Sequence, residues 1–281
     1  MPAQPGAANL SLEDIEIHLL LEGIAQHYGY DFRDYALSPL RRNIAVGMAL
    51  EGVPTISRYQ ERILHDSKAM ERFLNAVGVT VTSMFREADS LAYLRREIAP
   101  WLKTFPSVRL WVAGCASGEE VVSLAIVLHE CGLLHRTRIY ATDIDERSLT
   151  TARMRAYPVE NIRSCEPDYL RAGGVGSLAD YFVTSGDVGR FDRSLFANVT
   201  WARHSLITDA SFNEFHVVLC TNLLGHFSRS LQERVQRLLF DSLLPSGFLV
   251  LGRTESMADW PRPDRFHRVV DVAGVYRRVR G

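Results

Sequence analysis

The sequence predicts a doubly wound α/β domain with a mostly parallel sheet, preceded by a small all-helical domain. An apolar run at 108–113 breaks at Gly114 and Gly118, and apolar residues then resume at helical spacing. That succession of strand, glycine turn and helix is the first unit of such a fold. Only helical periodicity precedes it, and strands alternate with helices after it, which favours a parallel sheet.

The first part of the chain predicts the helical domain, which we expect at residues 11–78 after a flexible lead-in at 1–10. Apolar residues recur there at helical spacing, and hydroxyl residues that suit N-caps precede two of the segments. The predicted helices cover 12–27, 38–51, 56–66 and 68–77, with Ser11 and either Thr55 or Ser57 as N-caps. No strand pattern occurs in this part of the sequence.

Composition narrows the class of protein. The 281 residues suffice for two domains of ordinary size. A formal net charge of −1 argues against nucleic acid as the main partner, because phosphate binding needs a basic surface. The four cysteines show no metal-site or disulfide spacing, so we expect no metal and a reduced, cytoplasmic setting. No apolar run has membrane-spanning length, and the start lacks a signal-peptide pattern, so we expect no membrane insertion.

The glycine turn predicts a ligand site. Gly114 and Gly118 carry no Cβ and let the backbone approach a ligand. Glu119 and Glu120 follow at the start of the predicted helix and suit its dipole. Glu119 would repel a pyrophosphate but suits a cation or hydroxyl groups. This favours S-adenosylmethionine (SAM) over a nicotinamide dinucleotide. The alternative is that both glutamates only cap the helix dipole.

The next predicted strand adds a second acid to the site. Its apolar core ends in Asp143, at the spacing where an acidic residue reaches the ribose hydroxyls of a bound nucleoside. Asp145 is the alternative ribose ligand, or the N-cap of the following helix. The glycine turn, the glutamate and the spaced acid together indicate a nucleoside-bearing cofactor.

The rest of the chain completes the predicted architecture. Residues 79–95 form a junction, which either caps helices or covers the cofactor site with Arg86 gripping a carboxylate. Residues 96–281 form the larger domain, with an insert at about 157–197 that is too long for a loop and predicts a small β-subdomain. Further strands are expected at 198–207, from 215, at 248–252 and as an antiparallel pair within 265–279, with a helix at 230–244 closed by the turn LPSG. This count suits the seven-stranded fold of SAM-dependent methyltransferases.

Several sequence blocks are specific enough to indicate a protein family. They are YDFRDYALSPLRRNI, VTVTSMFRE, WVAGCASGEEVVSLAI, ATDID, CTNLL and LPSGFLVLGRTES. Through them the chain resembles the chemotaxis receptor methyltransferases, the CheR family, over roughly residues 12–279. The resemblance implies a helical N-terminal domain, a SAM-binding α/β domain and a small β-subdomain inserted in the latter.

The resemblance also implies the site residues. The junction would contact SAM, and Arg86 would hold its carboxylate end and steer the incoming substrate. Asp143 would bind the ribose, and Ser205 and Leu206 would lie near the adenine. The implied cofactor-binding residues are Thr80, Thr82, Arg86, Glu119, Asp143, Ser205, Leu206, Thr221 and Asn222, with Arg86 also the catalytic one.

The implied activity is transfer of a methyl group from SAM to glutamate side chains of a methyl-accepting chemoreceptor. The products would be a glutamyl methyl ester and S-adenosylhomocysteine, made by a monomeric enzyme. Thr221 and Ser205 depart from residues common in the family, as do Gly225 and His226, and residues 44–50 of the second helix carry no charge. These departures leave two alternatives: a non-catalytic or weakly catalytic module that binds SAM or receptors, and a methyltransferase with a different protein or small-molecule substrate.

Overall fold

The structure is a computed structural model that describes residues 11–28, 30, 32–33, 35–77, 82–257, 265–269, 272 and 274–279. The chain divides into two compact units, Met1–Thr80 with His226–Ser228, and Val81–Gly225 with Arg229–Gly281. Over the described residues, no helix combines the length and the apolar character that crossing a membrane requires.

The smaller unit contains four described helices. They are α1 (Leu12–Tyr28), α2 (Leu37–Glu51), α3 (Ile56–His65) and α4 (Ser67–Ala76). Thr55 caps α3 by accepting the backbone N–H of Arg58, and Gly52 ends α2 in the left-handed conformation with φ 65°. The apolar faces meet in one core around Leu20, Tyr59 and Phe73, as the sequence periodicity predicts.

The packing of α2 against α3 depends on a glycine. A methyl group at Gly47 would lie 2.1 Å from Tyr59 Oη and 2.7 Å from its Cζ. The Tyr59 hydroxyl is buried and has no hydrogen-bond partner among the described residues. The two helices therefore approach closely because position 47 has no side chain.

We expect Gly47→Ala to lower the free energy of unfolding by about 2 kcal/mol, since overpacking outweighs the helix propensity of alanine. Chemical denaturation of the whole protein measures this change. Tyr59→Phe removes only an unbonded hydroxyl, so it should cost little alone and should recover part of the loss in the double variant. A Gly47→Ala protein more stable than the parent would contradict this account of the packing.

The larger unit alternates strands with helices. Its strands are β1 (Val108–Ala113), β2 (Thr137–Asp143), β3 (Ala156–Pro158), β4 (Phe182–Ser185), β5 (Val188–Phe191), β6 (Val199–Arg203), β7 (Phe215–Cys220), β8 (Leu243–Leu251), β9 (Phe266–Arg268) and β10 (Val275–Arg278). Its helices are α5 (Ala88–Tyr93), α6 (Ala99–Leu102), α7 (Glu119–Glu130), α8 (Glu146–Met154), α9 (Val159–Ser164), α10 (Glu166–Arg171) and α11 (Arg229–Asp241). A π-helical turn at Leu94–Ile98 joins α5 to α6.

The main sheet has seven strands in the order β6-β2-β1-β7-β8-β10-β9. The first five are parallel, and β10 is antiparallel to both β8 and β9. The strand order reverses between β1 and β7, so a ligand crevice is expected outside their carboxyl ends. The predicted fold class, a seven-stranded methyltransferase sheet with a helical N-terminal domain, is confirmed.

A second sheet forms the predicted inserted β-subdomain. Its three antiparallel strands lie in the order β3-β5-β4. The neighbouring segment attaches to α7 through the Glu130 carboxylate, which accepts hydrogen bonds from the hydroxyls of Tyr169 (2.6 Å) and Tyr181 (2.9 Å) and from the Arg95 guanidinium (2.5 Å). The largely buried Glu130 carboxylate therefore helps to join the insert to the main domain.

The prediction around LPSG was wrong. Helix α11 ends at Asp241, and β8 already begins at Leu243, so Pro245 and Ser246 lie within the strand rather than in a turn before it. The pairing of β7 with β8 shifts register between Phe215 and Val217, and Ser246 adopts φ 67°. A local irregularity of this kind accommodates proline in a strand, which the sequence pattern alone reads as a turn.

Candidate functional site

The loop after β1 occupies the switch point of the sheet. Its glycines adopt left-handed conformations, with φ 78° at Gly114 and 93° at Gly118. A Cβ at Gly118 would lie 2.8 Å from the Cβ of Ala152, and one at Gly114 would lie 2.9 Å from a Leu223 methyl carbon. The N–H groups of Gly114 and Cys115 donate to the Thr142 carbonyl on β2 at 2.8 and 2.9 Å. Both glycines are therefore required by backbone conformation and by space.

Asp143, at the end of β2, faces this loop. Its carboxylate accepts the N–H of Ala116 at 2.8 Å and the N–H of Asp145 at 2.9 Å. Burial raises the pKa of Asp143, against the opposing effect of these N–H donors. Asp145 instead caps α8, since its oxygens accept the N–H groups of Arg147 and Ser148, both at 3.1 Å. Of the two acids left open by the sequence, Asp143 is the one in contact with the glycine loop.

Two glutamates begin α7. The Ser117 hydroxyl donates to Glu119 at 2.8 and 3.0 Å, and the Thr221 hydroxyl donates to Glu120 at 2.9 Å. Among the described residues neither glutamate forms a salt bridge. Burial raises the pKa of both carboxyls, that of Glu120 to about 7. The site therefore concentrates partly buried carboxyls that form no salt bridge with a described residue.

The loop after β7 is held by acids that the sequence analysis did not single out. Asn222 has φ 57°, and its N–H donates to Glu255 at 2.8 Å while its amide Nδ2 donates to Glu87 at 3.0 Å. Glu255 also accepts the N–H groups of Gly252 (2.8 Å) and Gly225 (3.3 Å). Both glutamates lie in the specific blocks VTVTSMFRE and GRTES, which is the signal that pointed to them.

Arg86 lies beside a cavity of about 460 Å³ that Asn222 and Arg253 also line. The preceding residue anchors it: Phe85 is buried, has φ 56°, and donates its N–H to the Ser123 hydroxyl at 2.8 Å. The Phe85 ring packs edge-on against Tyr169, with centroids 5.2 Å apart. This anchoring holds the exposed Arg86 side chain at the cavity.

The remaining predicted residues divide into three groups. Ser205 and Leu206 follow β6, where the Ser205 hydroxyl accepts the N–H groups of Ile207 and Thr208 and Leu206 is buried. The adjacent His204 donates its N–H to the Asp143 carbonyl at 3.1 Å, so this segment lies next to Asp143. Thr82 is partly buried in the junction, and Thr80 lies outside the described residues.

The structure thus brings most of the predicted residues to one edge of the sheet. Glu119, Asp143, Ser205, Leu206, Thr221 and Asn222 follow four neighbouring strands at their carboxyl ends. Carboxylates in this setting bind hydroxyl groups and positive charge. These carboxylate acceptors fit a nucleoside that carries a cationic side chain.

Comparison with known proteins agrees with this geometry. Residues 80–270 match the family model described as the CheR methyltransferase SAM-binding domain, and residues 15–77 match the CheR all-alpha domain. A Pseudomonas putida protein with the provisional name methyltransferase Cher3 is 42% identical, over 94% of this chain and 97% of its own length.

More distant relatives carry a functional name. The chemotaxis protein methyltransferase of Salmonella typhimurium is 25% identical over 90% of this chain and 88% of its own length. That of Listeria innocua is 23% identical over 83% of this chain and 87% of its own. The two family models together span both units, so the chain belongs to the CheR methyltransferase family, and the cofactor of its larger unit is SAM.

Proposed function

We propose that this protein transfers the methyl group of SAM to glutamate side chains of a chemoreceptor in the cytoplasm, giving glutamyl methyl esters and S-adenosylhomocysteine. One observation carries the proposal. A cavity with Arg86 and Arg253 in its lining also contacts Asn222, at the edge of the sheet where Glu119 and Asp143 lie. Arg86 and Arg253 can therefore receive a substrate carboxylate next to Asn222, and Arg86 and Asn222 are the predicted cofactor residues in the lining of this cavity.

We assign the predicted residues to the cofactor as follows. Asp143 would accept the ribose hydroxyls, and Glu119 would lie beside the glycine loop where positive charge is favoured. Ser205 and Leu206 would border the adenine. Thr221 and Asn222 would line the opposite wall, with Thr80 and Thr82 contributing from the junction. The assignment is supported by the absence of a salt bridge between these partly buried carboxyls and any described residue, because a cationic ligand compensates their charge.

The chemistry requires little from the protein beyond alignment. When bound, SAM supplies a methyl group on a sulfonium, which an ionised carboxylate takes up without a general base. Arg86 would steer the substrate carboxylate and hold it in line. Glu87 would position Asn222 and the Arg253 backbone, whose N–H it accepts at 3.2 Å.

Labelled methyl transfer tests the proposal. The full-length protein is incubated with methyl-labelled SAM and chemoreceptor signalling domains from the same organism, and base-labile label on the receptors is counted. We expect receptor esters, and a rate at least tenfold lower in Arg86→Ala, because one charge-assisted contact is lost. Arg163→Gln, at an exposed arginine of α9, is the matched control. Absence of label on every receptor would overturn the proposal.

A second candidate is a module that binds SAM without turnover. The hydrogen bond from Thr221 to Glu120 favours it, because the family commonly has an arginine at position 221 and threonine gives this partly buried carboxyl a neutral hydrogen-bond donor in its place. Tight SAM binding with no methyl transfer to any receptor, protein or small molecule would select this candidate. A different protein substrate is the remaining alternative. It is suggested by the exposed uncharged residues Ala45, Val46 and Leu50 of α2, and label on a protein other than a receptor would indicate it.

Glu120 predicts a pH dependence of cofactor binding. Its pKa of about 7 means that it gains its negative charge as the pH rises through neutrality. A cationic ligand favours the ionised form, so SAM affinity should increase by roughly tenfold between about pH 6 and 8 and then level off. Calorimetric titrations across this range measure the effect. Glu120→Gln should flatten the curve, and an unchanged slope in that variant would assign the titration to another group.

A further inference from the structure

A second cavity, of about 370 Å³, opens at the opposite edge of the main sheet, near the amino ends of β1 and β2. Its lining is strongly basic. It includes Arg109, Arg136, Arg138 and His135, together with the carboxamides of Asn198 and Asn213. No aspartate or glutamate lines it in the described part of the chain. The cavity therefore carries positive charge with no internal compensation.

The arginines are held close together by the sheet itself. Arg109 on β1 is the register partner of Arg138 on the neighbouring parallel strand β2. Register partners in a sheet project to the same face, so two like charges stand side by side. Such a pair destabilises the sheet unless an opposite charge lies nearby.

No described carboxylate is within salt-bridge distance of these arginines. None of Arg109, Arg136 and Arg138 forms a salt bridge with a described carboxylate, and the guanidinium of Arg136 donates to the neutral carbonyl of Phe105 at 3.3 Å. The Nε atoms of Arg109 and Arg136 are buried and have no hydrogen-bond partner among the described residues. Buried charged donors without an acceptor are costly, so a shift of these side chains that brings their guanidiniums to an acceptor in the cavity would be favourable.

We propose that this cavity binds a small molecule carrying a phosphate or pyrophosphate group. Guanidinium forks match the oxygens of phosphate in paired hydrogen bonds, and several guanidiniums together suit a multiply charged anion better than a single carboxylate. The volume lies in the range of small-ligand sites. Tyr140 lines the cavity two residues after Arg138 on the same face of β2 and offers an aromatic ring beside the anion. The site lies at the opposite end of the strands from the methyl-transfer site and is independent of the proposed methylation.

Calorimetric titration with inorganic pyrophosphate tests the site directly. The full-length protein is first saturated with S-adenosylhomocysteine to fill the cofactor site, and the ionic strength is held constant. We expect saturable binding with one pyrophosphate per chain, weakened at least tenfold in Arg138→Gln and in Arg109→Gln. Arg138 is exposed, so its replacement should not disturb folding, whereas Arg109 is partly buried. Arg163→Gln, an exposed arginine elsewhere in the same unit, should bind pyrophosphate like the parent.

Three results would overturn the proposal. They are no saturable binding, binding that Arg138→Gln leaves unchanged, and binding that Arg163→Gln weakens equally, which would indicate general attraction to surface charge. A parallel titration with citrate tests which kind of anion the cavity prefers. Citrate binding that is tighter than pyrophosphate binding would show that the ligand is a carboxylate and would contradict the proposed phosphate ligand. Unchanged affinity for S-adenosylhomocysteine in Arg138→Gln verifies that the variant is folded.

Discussion

Replacing Asp143 by asparagine should weaken SAM binding by roughly 10- to 100-fold, since hydrogen bonds to a charged group contribute about 1.5–3 kcal/mol. The Asp143 carboxylate accepts the N–H groups of Ala116 and Asp145. An amide in its place would turn an NH₂ group toward one of these donors, which disturbs the glycine loop. It would also remove the negative acceptor that we assign to the ribose hydroxyls. Calorimetric titration with SAM measures the loss.

The matched control is Asp145→Asn. Asparagine is as good an N-cap as aspartate, so α8 should keep its start and SAM affinity should remain within about twofold of the parent. The two variants carry the same chemical change at positions two residues apart, and they separate the two acids that the sequence left open. A larger loss in Asp145→Asn would assign the ribose to Asp145 instead, and equal losses would contradict a role that belongs to Asp143 alone.

Removing the Glu130 side chain should lower the free energy of unfolding by about 3 kcal/mol, which is the lower limit of the cost of removing one partner of a buried ion pair. The Glu130 and Arg95 side chains are only 10% and 18% exposed. Glu130→Ala would leave the guanidinium and the hydroxyls of Tyr169 and Tyr181 without their shared acceptor. Urea denaturation of the protein saturated with S-adenosylhomocysteine measures the change.

The pH dependence of this contribution has a definite sign. Burial alone would raise the pKa of Glu130, but the hydrogen bonds from Tyr169, Arg95 and Tyr181 lower it below its ordinary value of 4.5. Its stabilisation is therefore complete above about pH 4.5 and is lost as the pH falls through the lower pKa of the folded state. Glu160→Ala, at an exposed glutamate of α9, is the control, and a loss in Glu130→Ala no larger than in this control would refute the role of the network.

The parallel core was predictable from sequence because its strands are buried on both faces. Such strands read as continuous apolar runs, and β1 occupies the run at 108–113 as predicted. Asp143 was predictable because its position follows from chain spacing within one strand and helix unit. In contrast, β8 starts before the Pro245 turn signal, because pairing with β7 overrides the local preference for a turn.

Part of the candidate site corresponds to no recognisable pattern in the sequence. Glu87 and Glu255 accept hydrogen bonds from backbone N–H groups of the loops after β8 and β7, and Glu87 also accepts one from the Asn222 amide. Contacts between positions so far apart in the sequence produce no periodicity. The basic cavity was hidden for a similar reason. Arg109 and Arg138 look like ordinary surface residues in the sequence, and only the register of β1 with β2 brings them side by side.

Glu255 has a consequence for the kinetics of ligand binding. Its carboxylate accepts hydrogen bonds from the N–H groups of Asn222, Gly225 and Gly252, so the loop after β7 takes its shape when the chain folds. The conformational entropy of that loop is then lost on folding and not again on association. The association rate should therefore follow diffusional encounter rather than loop closure, and the heat-capacity change of binding should reflect the ligand's own buried surface.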